Sequence, residues 1–106
     1  MRLIDLNPRW VGAGGEGIYD KDMRPVPPRH GVGVSFDCPC GCADRCYISF
    51  TNPLDGMSRL QDEKHSWERV GDTFETLSLS PSIQRVGGCA WHGFIGKDVP
   101  GEVTQA

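Results

Sequence analysis

Two short segments of the chain carry residues of the types that bind metal ions. Residues 38–42 read Cys-Pro-Cys-Gly-Cys, and residues 89–92 read Cys-Ala-Trp-His. Zinc prefers thiolate and imidazole ligands, and it takes four of them when its role is structural. The pattern therefore predicts a zinc site that joins the two segments. The candidate ligands, one more than such a site needs, are Cys38, Cys40, Cys42, Cys89 and His92.

The first of these segments resembles one knuckle of a zinc ribbon. Pro39 restricts the backbone and Gly41 permits a tight turn, so neighbouring thiolates point inward. Ribbon knuckles usually contain Cys-x-x-Cys, whereas this segment offers Cys-x-Cys and Cys-x-x-x-Cys. The sequence therefore leaves open which of its three cysteines is not a ligand. The alternative to a metal site is a set of buried cysteines or a disulfide, because free cysteine is among the most buried residue types.

Composition and periodicity favour short strands over helices. The chain of 106 residues contains 14 Gly and 8 Pro, which indicates one domain rich in turns. Apolar residues alternate within residues 31–37, 44–50 and 73–79, and further strands are expected at 67–70, 93–95 and 99–103. We predict a small mainly-β, zinc-ribbon-like fold of antiparallel sheets and hairpins. It comprises a Gly/Pro-rich N-terminal arm (residues 1–30), packed on the domain or flexibly attached, and a zinc-binding β domain (residues 31–106).

The chemistry-bearing residues between the two segments fit packing or surface roles. Cys46 is in phase with the apolar side of its predicted strand, so we assign it to the core. Thr76, Ser80 and Ser82 are possible nucleophiles by residue type. They lack a G-x-S-x-G or S-x-x-K context, which favours surface hydroxyls instead.

Charge and hydropathy limit the partners. The formal charge is −3 and the 11 Lys and Arg residues form no cluster, so nucleic-acid binding is not expected. No apolar run is long enough to cross a membrane, and the N-terminus lacks the apolar core of a signal peptide. We therefore expect a cytoplasmic protein with an unidentified protein partner. The sequence does not define its oligomeric state.

Three motifs together resemble a family of small phage and bacterial proteins known as domain of unknown function 6527. They are the Cys-Pro-Cys-Gly-Cys segment, residues 77–83 (Leu-Ser-Leu-Ser-Pro-Ser-Ile), and Cys89-x-x-His92 followed by Phe94-Ile95. The resemblance spans residues 31–103 and implies the metal positions already given. It also implies a bacteriophage-type protein, with host cytoplasm or a virion as its location. Some relatives are encoded beside ubiquitin-activation-like and conjugation-like enzymes, which implies an accessory role in protein modification.

These observations favour a non-catalytic binding module with a structural zinc ion. An alternative is a zinc enzyme with an open coordination position, for which Asp37, Asp44 or Asp98 could act as general base. A zinc deaminase would need His-x-Glu, and His92 is followed by Gly93-Phe94. The remaining alternative is the accessory factor of a ubiquitin-like protein-modification system.

Overall fold

The computed structural model describes residues 1–42, 44–56, 66–84 and 89–106. Within these residues a 3₁₀ turn, Leu3–Leu6, precedes eight strands. The strands are β1 (Arg9–Ala13), β2 (Arg29–Asp37), β3 (Arg45–Phe50), β4 (Ser66–Val70), β5 (Ser78–Ser80), β6 (Ile83–Gln84), β7 (His92–Ile95) and β8 (Val103–Gln105). No helix in the described part of the chain is long and apolar enough to cross a membrane.

The strands form two sheets. The first has the order β1-β2-β3-β4-β5, and its neighbours are antiparallel except for β3 and β4, which are parallel. The second has the order β6-β7-β8 and is antiparallel throughout. Contacts between β5 and β7 join the two sheets. The prediction of a small mainly-β fold with antiparallel sheets is confirmed.

Both sheets contribute to one hydrophobic core. Side chains alternate between the faces of a strand, so every second residue of β2 and β3 points inward. Val34, Phe36, Ile48 and Phe50 are at most 3% exposed. Leu79 of β5 and the preceding Leu77 are also buried, and the second sheet adds Ile83, Ile95 and Val103 to the same cluster. The shared core fixes the second sheet against the first.

The stretch before β5 departs from the predicted strand at residues 73–79. Residues 73–76 form a turn, in which the Thr76 amide donates to the Thr73 carbonyl at 3.2 Å. The two threonine hydroxyls also lie 2.7 Å apart. Such local side-chain bonds compete with a strand ladder, which explains why only Ser78–Ser80 pair with β4.

The N-terminal segment packs on the sheets. Leu3 is fully buried and Leu6 is 8% exposed, and both belong to the main core. β1 forms an antiparallel pair with β2, and the Trp10 ring stacks on Phe74 with 4.4 Å between the ring centroids. The division at residue 30 stays a prediction, and the burial of Leu3 offers a direct test of how firmly the segment is attached.

We predict that Leu3→Ala lowers the free energy of unfolding by about 2–5 kcal/mol, because it leaves a cavity in a packed core. The neighbouring Ile4 is 41% exposed, so Ile4→Ala should change that energy by no more than about 0.5 kcal/mol. Urea unfolding followed by tryptophan fluorescence measures both. Equal effects of the two substitutions would show that the N-terminal turn does not stabilise the core.

Candidate functional site

Four cysteine side chains converge between the end of β2 and the segment that precedes β7. The Sγ atoms of Cys38, Cys40, Cys42 and Cys89 all lie within 4.8 Å of one another. Cys38 Sγ is 3.3 Å from the sulfur of Cys40 and 3.3 Å from that of Cys89. A tetrahedral zinc ion with Zn–S bonds of about 2.3 Å would separate its sulfurs by about 3.8 Å. The cluster therefore has the donor type, number and spacing of a four-thiolate metal site.

The turn that follows β2 presents three of these sulfurs. The Cys38 amide donates to the Asp44 carbonyl at 2.9 Å, and the Gly41 amide donates to the Cys38 carbonyl at 3.0 Å. Gly41 has a φ of +82°, which glycine adopts without steric cost. Cys89, 51 residues beyond Cys38, completes the cluster just before β7. The site thus connects the end of β2 with the start of β7.

The sulfurs of the cluster differ in their electrostatic surroundings. Hydrogen bonds with Cys89, and then with Cys38 and Cys42, raise the pKa of the Cys40 thiol to about 12. A hydrogen bond from the backbone of Asp44 lowers the pKa of the Cys42 thiol, because it stabilises the thiolate. The same turn that gathers the sulfurs therefore also favours the anionic form of one of them.

The fifth cysteine and the remaining candidate ligand, His92, lie outside this cluster. Cys46 is 4% exposed and belongs to the hydrophobic core, as its phase in β3 predicted. The structure does not bring His92 into the four-cysteine cluster. Its Nε2 instead lies 3.1 Å from the hydroxyl oxygen of Ser82. The sequence left one of the three cysteines of residues 38–42 as the spare candidate, whereas all three lie in the cluster and His92 is the candidate outside it.

Strand pairing holds Ser82 beside His92. β6 and β7 are antiparallel, with Ile83 opposite Gly93 and Gln84 opposite His92. Ser82 directly precedes β6, and its carbonyl accepts a hydrogen bond of 3.2 Å from the indole Nε1 of Trp67. The Ser82 hydroxyl and the His92 imidazole are therefore positioned by the β6–β7 pair, to which Trp67 of β4 adds one hydrogen bond.

Gly93 is required at this hairpin by close packing. A Cβ atom there would lie 2.3 Å from the Thr104 carbonyl oxygen and 2.4 Å from the Trp91 ring. Trp91 is 7% exposed and belongs to the core, so it anchors the residue next to His92. The small residue lets the indole cross the strand, and the imidazole of His92 stays on the exposed side.

A serine hydroxyl within hydrogen-bond distance of an imidazole is the arrangement that nucleophilic catalysis uses, because the histidine can accept the hydroxyl proton. Ser82 is half-buried and His92 is exposed, so both are accessible. By residue type Ser82 was a possible nucleophile, but the absence of a G-x-S-x-G or S-x-x-K motif favoured a surface hydroxyl. The pairing of β6 with β7 brings Ser82 beside His92. In the sequence, the only signal of this contact was the spacing of ten residues between the two.

The fold and the site define a small mainly-β protein with a four-thiol cluster and an accessible serine–histidine pair. A family model matches residues 20–100 of the 106, and it is described as bacterial ubiquitination-like system serine protease (BubE). The chain belongs to this family. No curated protein and no solved structure gives a significant match.

The match corrects the family predicted from the motifs. Membership of domain of unknown function 6527 is wrong, since the matching family is BubE. The short motifs were interpreted as metal ligands with a connecting strand, although two of them also carry Ser82 and His92. The description names a bacterial system, so it gives no support to a bacteriophage origin. The predicted link to ubiquitin-like protein modification agrees with the family's description.

We predict that the purified protein carries one metal ion per chain and that Cys89→Ser removes it, because three thiolates bind more weakly than four. His92→Ala and Cys46→Val should both retain the full metal content, since neither residue contributes to the cluster. Elemental analysis of the untagged proteins gives the stoichiometry. Loss of metal in His92→Ala would return this histidine to the ligand set.

Proposed function

We propose that the protein is a serine protease in which Ser82 is the nucleophile and His92 the general base. The observation that carries this proposal is the distance of 3.1 Å between Ser82 Oγ and His92 Nε2. The family's description as a serine protease supports it independently. A serine hydroxyl is a weak nucleophile until an adjacent base accepts its proton, and the His92 ring nitrogen is placed to do so.

The reaction follows from this geometry. Ser82 Oγ forms a bond to the carbonyl carbon of the peptide while its proton passes to His92 Nε2. The imidazolium then gives that proton to the leaving amine, and the C–N bond breaks to leave an acyl ester on Ser82. A water molecule, deprotonated by His92, attacks the ester and releases the acid. The ester C–O bond breaks, and the imidazolium of His92 returns a proton to Ser82 Oγ.

We further infer that the metal of the cysteine cluster is zinc with a structural role. Four thiolates fill a tetrahedral coordination sphere, so this donor set provides no open position for substrate. That argument disfavours the zinc-enzyme alternative. The cluster instead holds the start of β7, because Cys89 lies three residues before His92 in the chain. Zinc thus supports the position of the base and takes no part in the chemical steps.

The substrate is inferred to be a protein of a ubiquitination-like system. The family's description refers to such a system, and a protease within it acts on a peptide or isopeptide bond of a protein partner. This proposal departs from the interpretation of the chain as a non-catalytic module. The absence of nucleic-acid binding and the cytoplasmic location stay predictions.

The proposal predicts that a fluorophosphonate probe labels the wild-type protein on Ser82 and that Ser82→Ala is not labelled. His92→Ala should slow labelling by about 10³-fold or more, because the hydroxyl loses its base. Thr76→Ala is the control, since the Thr76 hydroxyl lies 2.7 Å from that of Thr73 and is exposed. Intact mass spectrometry and peptide mapping locate the modified residue.

Two outcomes would contradict this proposal. Labelling that survives in Ser82→Ala and disappears in Ser80→Ala would show that Ser80, and not Ser82, is the nucleophile. A metal-loaded, folded wild-type protein that resists the probe would favour the non-catalytic binding module. Circular dichroism of every variant separates loss of the hydroxyl from loss of the fold.

A further inference from the structure

A surface depression lies directly beside the serine hydroxyl. It has a volume of about 380 Å³, and Ser82 is one of the residues that line it. Its base is the outer face of the β4–β5 pair, where Glu68 lies opposite Ser80 and Val70 opposite Ser78. Paired residues of an antiparallel ladder point to the same side of the sheet, so these four side chains face the depression together.

The opposite wall comes from the second sheet. Phe94 of β7 is half-buried and lines the depression, as does Lys97 just beyond the strand. The Lys97 ammonium lies 4.3 Å from the centroid of the Phe94 ring, a distance at which the cation and the aromatic face attract each other. The depression therefore lies between the two sheets that also position the serine and the histidine.

The composition of the walls favours an apolar occupant. Val70 is 64% exposed, although a valine on a strand is more stable when it is covered. Val70 and Phe94 contribute apolar side chains to the lining, and Ser78, Ser80 and Ser82 line the depression as well. Glu68 and Lys97 have opposite charges, so neither sign dominates the lining. A volume of about 380 Å³ is at the lower end of the range for ligand pockets, which suits one or two side chains.

We propose that this depression is the specificity pocket of the protease and that it accepts an aliphatic side chain adjacent to the scissile bond. A peptide carbonyl in contact with Ser82 Oγ places the neighbouring side chain within reach of the pocket that the same serine lines. Val70 and Phe94 are then specificity-determining residues. The inference rests on the proposed function, because it assumes that Ser82 is the nucleophile.

Aminoalkyl diphenyl phosphonates test this without a known substrate. Ser82 Oγ forms a bond to phosphorus, phenoxide leaves, and the hydroxyl proton passes to His92. Probes with a leucine-type and a glutamate-type side chain differ only in what they place in the pocket. The leucine-type probe should label wild-type protein about 10-fold faster or more, since an apolar pocket discriminates on this scale.

Val70→Lys provides the variant, and Val99→Lys is its matched control, because Val99 is a similarly exposed valine (58%) that does not line the pocket. Val70→Lys should lower the ratio of the two labelling rates by about 10-fold or more, with faster absolute labelling by the glutamate-type probe. The ratio should be unchanged in Val99→Lys. A gain for the acidic probe cannot arise from misfolding.

The outcomes separate the two proposals. Equal labelling by both probes in the wild type, or an unchanged ratio in Val70→Lys, overturns the specificity pocket and leaves the nucleophile intact. Absence of phosphonate and fluorophosphonate labelling at Ser82 overturns the proposed function, and the pocket assignment with it. The expected shift in ratio supports both.

Discussion

The contact between Cys38 and Cys89 is the one on which the rest of this structure depends. These residues are 51 positions apart, yet their sulfurs lie 3.3 Å from each other and bring the end of β2 to the start of β7. A structural zinc site contributes apparent binding free energies of about 10–16 kcal/mol, which exceeds the net stability of many small domains. In a chain of 106 residues with a modest core, such a site would act on stability and on the geometry of the Ser82–His92 pair at once. Stability and the proposed catalysis would then share a single segment, residues 89–92.

Local strand pairing and contacts with distant residues together position Ser82 and His92. Their separation is set locally, by the register of β6 against β7, and their environment is set by distant residues. Trp67 supports the backbone of Ser82 from the first sheet, while Trp91 anchors the neighbour of His92 in the core. This division resembles that of many enzymes, in which a rigid framework presents reactive groups from short connecting segments. Here the framework is two small sheets and a cysteine cluster.

The sequence predicted the parts of this molecule that follow short-range rules. Alternation located β2 and β3, and it placed Cys46 in the core. It missed β1, because glycine and proline surround a strand that is recognisable only through its pairing with β2. Residues 38–42 and Cys89 were identified by their chemistry, but His92 was interpreted as a ligand. Cys-x-x-His is a common zinc spacing, and an imidazole suits a metal or a proton equally well, so the sequence alone does not distinguish the two roles. That contact depends on a strand of two residues, too short to produce a periodic pattern.

The brevity of β6 has a consequence for evolution within such a scaffold. Successive residues of a strand point to opposite faces, so moving β6 by one position against β7 would turn the serine hydroxyl away from the imidazole. An insertion or deletion anywhere between Ser82 and His92 must therefore be absorbed in the loop and leave the ladder unshifted. The contact between Ser82 and His92 therefore constrains the register of β6 against β7 more tightly than it constrains the length of the segment that joins them.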